Sequence, residues 1–148
     1  MQPTDAGSYS VVVSNIAGTA TSADAVLTVN VAPAITTQPQ DQNVNQSSNA
    51  VFSVVATGTP APSYQWRWNG ANISGATASG YTRGNAQPAD AGSYSVVVSN
   101  IAGTATSANA MLTVNVAPAI TTQPQDQNVN QSSNAVFSVV ATSTPAPS

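Results

Sequence analysis

The chain has 148 residues and a formal net charge of −3, carried by five aspartates and two arginines, with no Glu, Lys, His or Cys. Without these residue types it has no usual general base, Schiff-base amine, thiolate or ordinary zinc site, so we expect no enzyme, no cofactor and no metal site. Two arginines cannot neutralise a phosphate backbone, so nucleic acid is not an expected partner.

Four segments alternate apolar and polar residues with a period of two, which predicts β-strands. Their apolar positions, in chain order, are Phe52, Val54 and Ala56; Tyr64, Trp66 and Trp68; Tyr94, Val96 and Val98; and Ala110, Leu112 and Val114. Segments rich in Gly, Pro, Asn and Asp separate these runs, and no window of ten residues carries a helical stripe. Short strands at this spacing predict an all-β sandwich.

The sequence repeats with an offset of 85 residues, since residues 2–63 return as residues 87–148. Counted from Met1 against Ala86, five of 63 aligned positions differ: Met1/Ala86, Thr4/Ala89, Asp24/Asn109, Val26/Met111 and Gly58/Ser143. A period this long is the size of a small domain rather than of a solenoid unit. The chain is therefore predicted to be a tandem array of domains.

Several of these residues form a known pattern. The run from Asp90 through Gly92, Tyr94 and Val96 to Asn100-x-x-Gly103 resembles the strand F and F–G hairpin of immunoglobulin-like domains. Tyr94 takes the tyrosine-corner position, and Trp66 resembles the core tryptophan of strand C. Val54 and Val96 stand where the family has its two cysteines. The resemblance is closest to cysteine-less, I-set-like tandem domains of bacterial surface proteins, and it implies an immunoglobulin-like β-sandwich.

The resemblance implies one complete domain, residues 32–116, flanked by two partial ones. Its strands are expected in six segments: A in 34–44, B in 50–57, C in 63–69, E near 79–85, F in 92–99 and G in 104–114. Residues 1–31 would then be only an F–G hairpin, and residues 117–148 only strands A and B.

The partial domains are expected to expose apolar side chains that a complete sandwich would bury. These include Tyr9, Val11, Val13 and Leu27 in the hairpin, and Val136, Phe137 and Val139 near the C-terminus. Burying each large side chain contributes roughly 1.5–3 kcal/mol, and isolated two-stranded ribbons are only marginally stable. We therefore expect self-association with neighbouring copies or repeats.

Three residues depart from the family pattern and are candidate contact residues. Arg83 occupies a strand E position that is normally aliphatic and inward; it either extends to solvent, pairs with a turn aspartate such as Asp90, or marks a shifted strand. Trp68, with Arg67, could contact a neighbouring domain or subunit, pack locally, or form a stacking platform for a glycan.

Other motifs have simpler interpretations. Asp5 and Asp90 begin a turn whose amides they would cap, and carboxylates are too few for a calcium cage. The three glycosylation sequons, at Asn45, Asn72 and Asn130, are expected by chance in a chain this rich in Asn and Ser. No segment is long and apolar enough to insert in a membrane, and residues 1–25 lack the features of a signal peptide.

The sequence therefore predicts a non-catalytic structural or adhesive repeat of an extracellular stalk or cell-surface filament, acting through end-to-end domain stacking and strand-mediated assembly. The alternative is a carbohydrate- or surface-binding module carried beside an enzyme or on a surface protein. Binding of glycans through Trp68 would distinguish the alternative from the structural role.

Overall fold

The computed structural model describes residues 1–146, so the last two residues of the third predicted segment lie outside the described part of the chain. The described residues form strands and two short 3₁₀ turns, Pro3–Asp5 and Pro88–Asp90. The strands are β1 (Gly7–Tyr9), β2 (Val12–Asn15), β3 (Gly18–Thr21), β4 (Ala25–Leu27), β5 (Val31–Thr37), β6 (Gln42–Asn45), β7 (Ala50–Ser53), β8 (Val55–Thr59), β9 (Ser63–Trp68), β10 (Ala71–Asn72), β11 (Gly80–Arg83), β12 (Gly92–Asn100), β13 (Gly103–Thr106), β14 (Ala110–Thr122) and β15 (Val140–Thr144).

Strands β5 to β13, with the first half of β14, build a two-layered β-sandwich, here called the central sandwich. One layer has the order β10-β9-β12, with β13 and β14 both pairing with β12 and β6 running parallel to β14. The other layer contains the antiparallel pairs β11-β7 and β5-β8. The predicted immunoglobulin-like β-sandwich is thus the fold of this chain.

The alternating pattern predicted the inward face of each main strand. Along β12 the alternate residues Tyr94, Val96 and Val98 are all buried, and along β14 so are Ala110, Leu112 and Val114. Phe52 and Trp66 complete the centre of the core from β7 and β9. Period-two alternation places these side chains between the layers, where their burial stabilises the sandwich.

Strand A was predicted as one strand over 34–44, and this was wrong. The segment forms two strands, β5 in one layer and β6 in the other. Between them the chain crosses layers at Pro39, which has no N–H to donate to a ladder. The side chains of Gln38 and Asp41 flank the crossing and accept backbone N–H groups of Ala108 and Met111, at 2.9 and 2.7 Å.

Strands B and G are also interrupted, although each was predicted as continuous. Val54 separates β7 from β8, and its N–H donates to Ser79 O at 3.0 Å instead of to a ladder partner. Residues 107–109 separate β13 from β14, and the Ser107 hydroxyl accepts the Val96 N–H at 3.0 Å in place of a backbone carbonyl. At both interruptions a hydrogen bond outside the ladder pairs a backbone N–H group, that of Val54 in one case and that of Val96 in the other.

Two smaller pieces flank the central sandwich. Residues 1–30, here called the N-terminal hairpin, contain β1 paired with β4 and β2 paired with β3. Residues 116–146, here called the C-terminal ribbon, contain the second half of β14 paired with β15. The division at 31/32 and 116/117 stays a prediction, because β5 begins at Val31 and β14 passes through 116/117 without a break.

Candidate functional site

Four of the residues that carried the family resemblance, Val54, Trp66, Tyr94 and Val96, lie in the buried core. Val54, between β7 and β8, and Val96, in β12, are 3% and 0% exposed and belong to the same buried core. The rings of Phe52 and Tyr94 stack with centroids 4.6 Å apart, and Trp66 lies 6.1 Å from Phe52. The Trp66 indole N–H donates to Ala78 O at 3.0 Å, which satisfies its one polar group.

Asp90 organises the turn that leads into β12. Its Oδ2 accepts the Gln87 N–H at 2.8 Å, and the hydroxyl of Tyr94 donates to its backbone carbonyl at 2.9 Å. Arg83 Nη2 lies 2.7 Å from Asp90 Oδ1, so of the three alternatives for Arg83 the structure shows the ion pair. Arg83 Nε is buried without a hydrogen-bond partner among the described residues.

This arrangement shifts two pKa values. Burial raises the pKa of the Tyr94 phenol to about 12, aided by neighbouring Tyr81 and Asp90. Burial disfavours ionisation of the Asp90 carboxyl, but the hydrogen bonds from Gln87 and Arg83 outweigh it and hold the pKa of Asp90 below its ordinary value. The turn therefore keeps a charged carboxylate and a neutral phenol at neutral pH, which suits a structural clamp.

Trp68 lies at the end of β9 and is 37% exposed. Its indole covers Gly92, where an added Cβ would lie 2.9 Å from Trp68 Nε1 and 2.7 Å from Asn69 Oδ1. Arg67 points to the opposite face of the strand, and its Nε donates to Asn72 Oδ1 at 2.8 Å. The structure therefore does not bring Arg67 and Trp68 together into one stacking platform.

A set of polar contacts at the start of the central sandwich was missed at the level of sequence. Asn100 Nδ2 donates to Val31 O at 2.8 Å and to Pro60 O at 2.9 Å, while its Oδ1 accepts the Ala102 N–H at 2.8 Å. One side chain thus ties the start of β5 (residues 31–34, here called the connecting segment), the β8–β9 loop and the β12–β13 turn together. The Asn-x-x-Gly motif was visible in the sequence, but its long-range contacts were not.

Because Gly58 has no side chain, the connecting segment can lie close to β8. A Cβ at this position would lie 3.1 Å from Asn100 Nδ2 and 3.3 Å from Pro33 Cα. The aligned residue in the C-terminal ribbon is Ser143, whose hydroxyl donates to Pro145 O. This difference between the two copies therefore falls at a junction between repeats.

A groove of about 820 Å³ lies at the second junction, between the central sandwich and the C-terminal ribbon. Residues 45–47, 115–118 and 143–146 line it. Its polar groups are amides and hydroxyls, without a carboxylate, imidazole or thiol. Across the described residues no group of three His, Cys, Asp or Glu is placed to hold a metal ion. Within residues 1–146, no helix has both the length and the apolar character that a membrane crossing requires.

Known proteins that resemble this chain agree with this architecture. A family model for the immunoglobulin domain matches residues 32–100. Mouse hemicentin-1 is 35% identical over 153 residues, a match that covers 99% of this chain and 3% of hemicentin-1. Endoglucanase C of Cellulomonas fimi is 34% identical over 126 residues, covering 80% of this chain and 11% of the enzyme.

Among solved structures, a chimeric titin Z1Z2-Z1Z2 tandem is 32% identical, with a TM-score of 0.53 over 77% of this chain and 67% of the titin chain. The chain spans only a small part of the curated relatives it matches, 3% and 11% of the two named. The shared feature is therefore the immunoglobulin domain, repeated in tandem.

Proposed function

Because this chain belongs to the immunoglobulin-domain family, we propose that it is a non-catalytic structural repeat that spaces and stacks domains in an extracellular stalk or cell-surface filament. The observation that supports the proposal is that the chain passes from the central sandwich into the C-terminal ribbon as hydrogen-bonded strand. β14 continues for 13 residues from the central sandwich into the C-terminal ribbon. At the first junction residues 28–30 form no strand, and pairing begins again where Val31 pairs with Thr59.

Short, paired connections of this kind restrict the angle between neighbouring domains. Each connection has the sequence Val-Ala-Pro-Ala, with Pro33 or Pro118 fixing one backbone torsion, and neither contains a glycine. The bonds from Asn100 hold the first connection from the side. A stalk needs this stiffness, whereas a flexible tether does not. The scarcity of charge, at 5% of residues, leaves little repulsion between packed neighbours and supports an extended assembly.

We expect Asn100→Ala to loosen the first junction. The change removes both hydrogen bonds to the connecting segment and the β8–β9 loop, leaving two carbonyls to find other partners. Spin labels on cysteines replacing Thr19 and Thr82, measured by pulsed electron resonance, should show a clearly broader distance distribution than in the parent. The cysteine-free sequence makes this labelling specific.

Asn72→Ala is the matched control, because Asn72 is exposed and contacts Arg67 far from the connecting segment. It should leave the distance distribution unchanged. An Asn100→Ala distribution as narrow as that of the control would count against a junction held by this side chain.

A second candidate, polysaccharide binding, is supported by two observations. One is the similarity to endoglucanase C, and the other is the half-exposed indole of Trp68 at the end of β9. Exposed aromatic rings stack on sugar faces. If the chain binds β-glucan, Trp68→Ala should abolish retention on insoluble cellulose, whereas Tyr64→Ala, on the same strand, should keep it. If cellulose does not retain the parent chain, the structural role is the one candidate function that is left.

A further inference from the structure

The pairs β11-β7 and β5-β8 form one layer of the central sandwich, here called the back layer. Alternate residues of its strands point away from the core and are exposed; this outward surface, here called the back face, includes Ala34, Thr36, Val51, Val55, Thr57 and Thr82. Val51 and Val55 are 56% and 53% exposed. The central sandwich has both of its layers, yet it leaves this apolar surface uncovered.

The repeated sequence shows that the exposure of Val55 belongs to the back face itself. The aligned residue in the C-terminal ribbon, Val140, is 52% exposed, so a facing layer makes no difference at this position. Phe52 behaves in the opposite way, because it is 1% exposed whereas the aligned Phe137 is 65% exposed. An inward residue thus depends on its facing layer, and Val55 points outward in both repeats.

Threonine hydroxyl groups of the back face are used within the layer. Thr36 Oγ1 donates to Val55 O at 3.2 Å, and the aligned Thr121 Oγ1 donates to Val140 O at 3.2 Å. A hydroxyl has one proton to donate, so neither of these groups needs water as an acceptor. Covering the back face would therefore leave neither donor unsatisfied.

The back face carries no charge. Within β5, β7, β8 and β11 the one charged residue is Arg83, and its Nη2 lies 2.7 Å from Asp90 Oδ1. The outward side of the other layer differs, because it includes Arg67, whose Nε donates to Asn72 Oδ1. Two back faces brought together would meet without like-charge repulsion, and each would bury two valines.

The chemistry of the back face also limits what it could bind. Its six residues include no aromatic ring on which a sugar could stack. They include no carboxamide, carboxylate or cationic group that could bind a sugar hydroxyl, an acidic peptide or a phosphate. A matching surface must itself be uncharged and built from small or β-branched side chains, and the back face of a second copy has this character.

We propose that the back face of one chain packs against the back face of a second copy of the same chain, so that arrays of repeats associate side by side. Stacked β-layers lie about 10 Å apart with their side chains interdigitated, and Val and Thr suit such a contact. This inference goes beyond the spacing role proposed above, because that role concerns the order of domains along one chain.

The size of the back face predicts a weak contact for each repeat. Three adjacent strands with about five residues each cover on the order of 250 Å² in projection. Stable interfaces bury about 800 Å² of accessible surface per partner, so one pair of back faces should associate with a Kd in roughly the millimolar range. Contacts between two arrays would add along their length, because the outward residues of β5, β7 and β8 return unchanged, among them Thr121, Val136, Val140 and Thr142.

A dilution series followed by two-dimensional proton–nitrogen NMR tests the contact in the full chain, residue by residue. Between roughly micromolar and roughly millimolar concentrations, the amide signals of Val51, Val55 and Thr82 should shift progressively. Those of Gln65 and Ser95, in the other layer, should stay constant. Constant signals on the back face would overturn the proposal, and so would shifts confined to the N-terminal hairpin and the C-terminal ribbon.

Val55→Lys should abolish these shifts, because each copy would bring a positive charge into a contact that excludes water. Ile101→Lys is the matched control, since it adds the same charge at an aliphatic residue that is 80% exposed in the β12–β13 turn. The control should shift as the parent does. Shifts at Thr82 that persist in Val55→Lys would contradict the proposal. If Val55→Lys does not give the dispersed spectrum of a folded chain, Val51→Lys takes its place.

Two comparisons separate this contact from the functions proposed above. Cellohexaose added to the dilute chain should leave Val51 and Thr82 unchanged. Shifts there with the sugar, and none in the dilution series, would assign the back face to a glycan and overturn self-packing. Failure of the dilution series alone leaves the spacing role in place, because the distance measurement on Asn100→Ala reads stiffness within a single chain.

Discussion

Gly92→Ala is expected to destabilise the central sandwich by about 2–5 kcal/mol, from backbone strain and overpacking together. Gly92 has a φ of +144°, which side-chain-bearing residues rarely adopt. A Cβ there would also lie 2.7 Å from Asn69 Oδ1 and 2.9 Å from Trp68 Nε1. Asn69 is held in place, since its Oδ1 accepts the Ser93 N–H at 3.0 Å.

Urea unfolding followed by tryptophan fluorescence measures this effect. Both tryptophans, Trp66 and Trp68, lie on β9, so the signal reports on the central sandwich alone. Gly84→Ala is the matched control, because the nearest atom to its added Cβ would be 3.6 Å away. The control should change the free energy of unfolding by less than about 1 kcal/mol.

Equal stability of the Gly92→Ala and Gly84→Ala variants would mean that the turn relaxes freely. In that case Trp68 would not be fixed by the backbone beneath it. Its indole would then be free to move away from β12, which would also weaken the case for Trp68 as a fixed binding surface.

Alternation of apolar residues was enough to predict the faces of the main strands. Side chains such as Phe52, Trp66 and Val96 are large and apolar at every second position, and only one face of each strand can bury them. The ion pair of Arg83 with Asp90 was one of three alternatives from sequence. The fold class and the core were therefore accessible from local pattern and composition.

Long-range hydrogen bonding was not accessible in the same way. The division of strand A into β5 and β6 depends on which strand lies beside each half, and Asn100 reaches a carbonyl 69 positions earlier in the chain. Residues 42–45 form a strand, whereas residues 127–130, which have the same sequence, do not. Strand formation there is decided by tertiary context rather than by propensity.

The second large effect is expected from restoring the disulfide that the family pattern implies. Val54→Cys combined with Val96→Cys should oxidise to a crosslink between the two layers, closing a loop of about 40 residues and stabilising the domain by about 4 kcal/mol in the chain-entropy model. Both positions are fully enclosed in the core, so the bridge would be protected from solvent reductants. The parent chain contains no cysteine, so any free thiols counted in the variant belong to positions 54 and 96.

Thermal unfolding of the oxidised form, and of the same variant reduced while unfolded and then refolded, provides the comparison within one variant. The oxidised form should unfold roughly 15–30 °C above the reduced form, given the steep dependence of the midpoint on stability in a domain of this size. The reduced form should fall slightly below the parent, because each Val→Cys change removes packed hydrocarbon. Persistent free thiols in the folded protein would show that Val54 and Val96 do not face each other across the layers. The valine pair would then be ordinary core packing rather than the counterpart of the family's cysteine pair.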